Sequence, residues 1–235
     1  MEATEQYREL RIQIRPSPET NDHEVRFVAD GVDIIDSHWG GMIGLDPDDV
    51  LVQPCELRGA TRPLAVTIAR CSCGVIGCGS IEVKIRRSQN HVVWEHAGDR
   101  VPDQPLRMSF LAESYDAEVE RALHDHNWET PDRTAARLLA SRVKRDILAE
   151  SQLTFSWASG RIQAETFTIS LILEPGPCQV LLHVPWSGES PEEIAGTCAE
   201  LLERLPNTWP HVVWYPQGTD LKPPPFTGPG WRKAS

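Results

Sequence analysis

Nine residues, Cys71-Ser72-Cys73-Gly74-Val75-Ile76-Gly77-Cys78-Gly79, carry half of the chain's six cysteines. Thiols clustered this closely have three uses. As thiolates they bind a soft or borderline ion, zinc above all, which takes four tetrahedral ligands in structural sites. As accessible thiols they do redox or nucleophilic chemistry. Otherwise they belong to a metal-free turn, with Cys71 and Cys78 facing each other across a hairpin mouth and Gly74, Gly77 and Gly79 supplying positive φ. The spacing leaves all three open. C-x-C closes around one ion less readily than C-x-x-C. A zinc would also need a fourth ligand, and the candidates are Cys55 upstream, His91 or His96 on the strand that follows, and Asp36 or His38 in an earlier loop.

The elements that must position these thiols are strands. Leu64 to Arg70 is strand-like, and Ile81-Glu82-Val83-Lys84-Ile85-Arg86 alternates apolar and charged. Two such runs around a glycine-rich loop predict a β-hairpin with a long turn. His91 to His96 and Leu106 to Leu111 predict two further strands of the same meander. The motif C-x-C-G-x-x-G-C-G, then a strand, a short turn and a Val-Val-Trp ending, resembles a group of uncharacterised actinobacterial proteins. The resemblance is most specific over residues 64–97 and looser over Leu45 to Leu51 and Pro185 to Trp214. It implies a fold and no chemistry.

Upstream, Tyr7 to Arg15 alternates as one half-buried strand, Glu24 to Ala29 returns, and Asp30-Gly31 turns into Val32 to Ile35. Asp46-Pro47-Asp48-Asp49 reads as a helix start, Asp46 the N-cap and Pro47 the first residue. It lacks the ligand spacing of a calcium loop. After residue 111 the period becomes helical. A first helix begins near Ser114, with Val119, Ala122, Leu123 and His126 inward, which makes His126 a core histidine and not a metal ligand with His124. A second, capped by Thr130-Pro131, is predicted to run to about Ala149. A hairpin over Thr166 to Val184 follows, then a helix opened by Ser190-Pro191-Glu192-Glu193 and a strand at His211 to Trp214. The Pro/Gly-rich tail is predicted to be loosely docked.

Composition bounds the function. The 235 residues carry a net charge of −11. Residues 1–60 hold 13 acidic against 5 basic side chains. Duplex nucleic acid is repelled by such a surface, whereas a basic protein is attracted. No apolar run approaches the ~20 residues of a membrane span, and Met1 to Glu5 has neither the basic nor the apolar part of a signal peptide, so a cytoplasmic protein is expected. There is no Walker A loop, dinucleotide fingerprint, H-E-x-x-H or G-x-S-x-G. Eight tryptophans stand out, and Trp39, in a glycine loop, is a candidate binding residue.

The expected fold is α+β in one compact domain: an antiparallel β region over 1–111 with the Cys-rich hairpin, a helical pair inserted at 112–152, a β-hairpin-α-β unit over 153–215 and a tail at 216–235. The expected function is protein binding, of an inhibitor- or immunity-like kind, through Trp39, Asp46, Asp48 and Asp49 toward a basic partner, with a zinc site built on Cys71, Cys73, Cys78, Cys55 and His91. The alternative is an enzyme or redox protein that uses the three clustered thiols.

Overall fold

The computed structural model describes residues 6–17, 23–52, 54–73, 78–98, 102, 104–174, 178–216 and 223–234. The fold is mixed α+β with mainly antiparallel sheets, as the periodicities require. It divides into two compact units, Met1–Trp128 and Glu129–Ser235, each with its own apolar core. The boundary falls inside the stretch expected to form a helical pair, so the two helices belong to different units.

The first unit contains β1 (Tyr7–Arg8), β2 (Leu10–Pro16), β3 (His23–Ala29), β4 (Val32–Asp33), α1 (Ile34–His38), β5 (Met42–Gly44), α2 (Pro47–Val50), a 3-10 turn (Glu56–Arg58), β6 (Leu64–Cys71), β7 (Ser80–Arg87), β8 (His91–Ala97), β9 (Arg107–Leu111) and α3 (Ala112–Leu123). Six strands make one sheet in the order β1-β9-β8-β7-β6-β5, and β2-β3-β4 make another. Alternation decides what the larger sheet buries. Ile81, Val83 and Ile85 point inward, Ile85 beside its partner Trp94 of β8, while Lys84 and Arg86 stay exposed. Trp94 is fully buried, and its Nε1 donates to the Tyr115 hydroxyl at 3.0 Å. That hydroxyl donates onward to the Leu57 carbonyl at 2.6 Å, tying α3 to the 3-10 turn.

Two expectations change here. The alternating run from Tyr7 to Arg15 is not one strand. It breaks at Glu9, whose backbone exchanges hydrogen bonds with Asp30, and β1 then joins β9 in parallel while β2 pairs with β3. In addition, α3 ends at Leu123, so His126 lies beyond the helix and is exposed instead of sitting in the core.

A buried carboxylate joins α3 to β2. Glu118 accepts the Ile12 N–H at 2.6 Å and the Arg121 guanidinium at 2.8 Å, with Arg11 at 3.6 Å. Burial pushes its pKa up, but the Arg121 and Ile12 hydrogen bonds and the two positive charges outweigh burial and hold it below the usual carboxylate range. A depressed carboxylate contributes stability above its unfolded pKa, about 4.3, and loses it as pH falls through the folded value. Glu118→Gln is therefore expected to cost about 1–3 kcal/mol at pH 7. It should also flatten the decline in stability below about pH 4.3. Urea titrations at pH 7 and in mild acid check both, and an unchanged acid slope would contradict the assignment.

The second unit contains α4 (Pro131–Arg142), α5 (Arg145–Glu150), β10 (Leu153–Gln163), β11 (Thr166–Leu173), β12 (Cys178–Pro185), α6 (Pro191–Leu202), a 3-10 turn (Pro206–Thr208), β13 (Val212–Pro216) and β14 (Trp231–Lys233). The strands form one sheet, β10-β11-β12-β13-β14, with β14 parallel to β13. Ala135 and Leu139 of α4 and Ile194, Ala195 and Cys198 of α6 share a core with Phe167, Ile169, Val180 and Leu182 of the sheet. Ser190 and Glu193 form the complete capping box that the sequence signals. The helix expected to reach Ala149 stops at Arg142. Val143 takes an extended ψ of 121° and buries its side chain, and α5 starts anew. Among its described residues the tail is docked and not loose: Trp231 stacks on Trp209 with ring centroids 6.1 Å apart, and its Nε1 donates to the Pro206 carbonyl at 2.8 Å.

Candidate metal centre

The thiol cluster sits where β6 ends and β7 begins. Cys71 is the last residue of β6, and its N–H donates to the Gly79 carbonyl at 2.8 Å, closing the hairpin mouth. Across β6, Cys71 pairs with Met42 of β5. Its side chain is half-buried against the core, while Cys73 and Cys78 are exposed. The ends of β6 and β7 are thus held together at Cys71 and Gly79, and the three thiols lie beside that junction. Gly74 and Gly77 lie outside the described residues. Gly79 is not among the positive-φ glycines, so its place does not depend on left-handed backbone.

The three sulfurs lie within 4.8 Å of one another, close enough to hold a metal ion. The Sγ atoms of Cys71 and Cys73 are 2.7 Å apart. Zn–S bonds of about 2.3 Å set tetrahedral S···S edges near 3.8 Å, so this pair must spread by about 1 Å to share an ion. Contacts with Cys73 and Cys71, hydrogen bonds before charge, push the Cys78 thiol pKa up. A proton shared among neighbouring sulfurs explains this: thiolates crowd one another until a cation replaces the protons. Three sulfur donors suit zinc or another thiophilic ion and not magnesium or calcium.

The other two metal ligands expected from the sequence are elsewhere. Cys55 is 6% exposed, packs in the core and directs its Sγ toward the Val50 carbonyl at 3.7 Å. The chain five residues on, at Ala60, bridges Arg86, the opposite end of β7 from the thiols. His91 pairs with Leu111 at that same far end, and its Nδ1 meets the Ser88 hydroxyl at 2.9 Å. Eight residues of strand separate Ser88 from Ser80, about 26 Å at ~3.3 Å per residue. Strand direction excludes both residues from the centre. His96 lies nearer, on the core face beside Val83, but its ring packs on Trp39 at 5.9 Å. Among the described residues, then, three side chains lie close enough together to hold an ion there.

The expected protein-binding residues divide. Trp39 is 3% exposed, a core residue wedged between the rings of His38 and His96, so it presents no surface to a partner. The glycines around it let the chain turn, and the indole fills the end of the sheet beside Met42. Asp46 is the N-cap of α2, its side chain accepting the Asp48 N–H at 2.9 Å, as the Asp-Pro pattern requires. Asp48 and Asp49 are exposed on that one-turn helix.

In the second unit, His183, His211 and Arg232 line one cavity of about 420 Å³. Their separation in sequence left no spacing signal to find. No helix among the described residues is long and apolar enough to cross a membrane. No family model, curated protein or solved structure matches the chain.

Proposed function

We propose that this is a zinc-binding protein whose Cys71, Cys73 and Cys78 thiolates hold one ion and leave its fourth position to an exchangeable ligand. The observation that carries this reading is the convergence of three sulfurs within 4.8 Å, two of them exposed, at a sheet-anchored hairpin mouth. Structural zinc sites are closed by four protein ligands, whereas sites that act on a ligand keep one position open. When bound, zinc would supply Lewis acidity at that position. The chain's own part is to hold three soft donors on one side of the ion, with β5 and β6 fixing Cys71 and the turn placing Cys73 and Cys78.

The test is metal content on untagged protein, with a parallel count of reactive thiols. About one zinc per chain is expected, with three thiols protected from reagent until a chelator is added. Cobalt substitution should give sulfur-to-metal charge-transfer absorption. Freely reactive thiols and no retained zinc under buffered zinc would instead favour redox chemistry or a simple turn.

Exposed Asp48 and Asp49 favour a second reading, that the acidic N-terminal surface docks a basic protein. Reversing both to lysine while keeping the Asp46 cap is expected to weaken capture of a basic partner and its salt dependence, with little change in stability. Undiminished binding by the double variant at low salt removes this reading.

A further inference from the structure

The cavity in the second unit is built from the outer face of its sheet, with Gln163 of β10, Thr166 of β11, His183 and Pro185 of β12, Val213 of β13 and Arg232 of β14 around it. Three features give it a chemistry. First, its titratable and charged lining groups are His183, His211 and Arg232, with no carboxylate among the lining residues, in a chain whose net charge is −11. Second, these groups are held by backbone. The His183 N–H donates to the His211 carbonyl at 3.1 Å, and Val213 pairs with Arg232. Gly230 carries the close approach: a Cβ there would meet the Trp209 carbonyl oxygen at 2.4 Å, and its own carbonyl accepts the Val212 N–H at 2.9 Å. Only glycine lets β14 come this near, which sets Arg232 beside His211. Third, His211 takes a φ of 50°, a left-handed conformation uncommon outside glycine, so the imidazole is placed at a local cost.

Burial, then the charge of His211, lowers the His183 pKa. The Thr168 hydroxyl meets His183 Nδ1 at 3.2 Å, which leaves Nε2 for a ligand. Among the described residues the Arg232 guanidinium has no carboxylate partner.

We propose that this cavity binds a small phosphate-bearing anion. Arg232 meets the oxyanion through its planar fork, His211 and His183 add two N–H donors, and the Gln163 amide supplies a neutral hydrogen bond. The volume exceeds that of phosphate itself, and Pro185 and Val213 offer an apolar wall to the organic part of a phosphate ester.

The experiment is a titration of the full chain with inorganic phosphate, followed by the imidazole and amide NMR signals of the second unit. Saturable shifts at His183 and His211 are expected. Arg232→Gln should weaken binding by about tenfold or more, the loss expected for a charge-assisted contact. His211→Asn should weaken it too, while tolerating the left-handed backbone and so keeping the fold. Lys233 faces the opposite side, over the Trp214 ring, and Lys233→Gln should bind as the parent does. Absence of saturable shifts, or equal weakening by Lys233→Gln, would overturn the proposal, because the first denies a site and the second reduces it to diffuse attraction.

Discussion

Replacing Arg26 with methionine is expected to cost about 3–5 kcal/mol, a large part of the stability of the first unit. Arg26 lies on β3, is 1% exposed, and sits among three carboxylates. Its Nε donates to Asp33 at 2.8 Å, its Nη2 pairs with Asp36, and Glu24 stands 3.9 Å from its Nη1. That same nitrogen donates to the Met42 carbonyl at 3.2 Å. Glu24 is itself buried and accepts the Gly44 N–H at 2.8 Å and Arg15 Nε at 3.0 Å. The loss is large because the carboxylates remain. With the guanidinium gone, buried Glu24 and partly buried Asp33 face each other with only Arg15 to offset them, while exposed Asp36 keeps its water. Lysine is a poor replacement, since one ammonium cannot match the planar fork. Urea denaturation followed by tryptophan fluorescence measures the loss, and a change under about 1 kcal/mol would show that the carboxylates rearrange or take up protons. The network also reaches the thiol centre. Arg26 holds Met42, and Met42 is the cross-strand partner of Cys71.

The second large effect is on metal affinity. Serine at Cys73 is expected to lower zinc affinity by more than about 100-fold, beyond what loss of an outer-shell partner costs, because one of three direct ligands is removed. Cys73 is exposed, so folding stability without metal should stay within about 0.5 kcal/mol of the parent. That pairing separates a ligand from a packing residue. Cys55→Ser should do the reverse, destabilising the core while leaving zinc affinity unchanged, because Cys55 lies at the far end of the sheet. The affinity of the parent should also rise with pH. Zinc displaces thiol protons, and the Cys78 thiol, raised by its sulfur neighbours, yields its proton late. Competition with a chromophoric chelator at several pH values measures both. Equal affinities for parent and Cys73→Ser would remove the three-thiolate site.

What the sequence determined by itself is local. The inward alternation of Ile81, Val83 and Ile85, the hairpin around the thiols, the Asp46 cap and the capping box at Ser190 all follow from preferences within a few residues, and each stands in the structure. The same reasoning fails wherever the answer depends on which strands meet. His91 looks close to Cys78 in the sequence, yet β7 runs away from the thiols and leaves His91, at the start of β8, at the other end of the sheet. Trp39 has the flanks of a loop residue, but the chain folds it under the sheet edge against His96. The stretch read as one helical pair divides because its two helices cover different cores. Arg26 with its carboxylates, and His183 with His211 and Arg232, are joined by strand register and by close backbone approach, and neither has a period or a spacing. Periodicity tells a residue which face of its own element it occupies. Only register and topology decide what lies across from it.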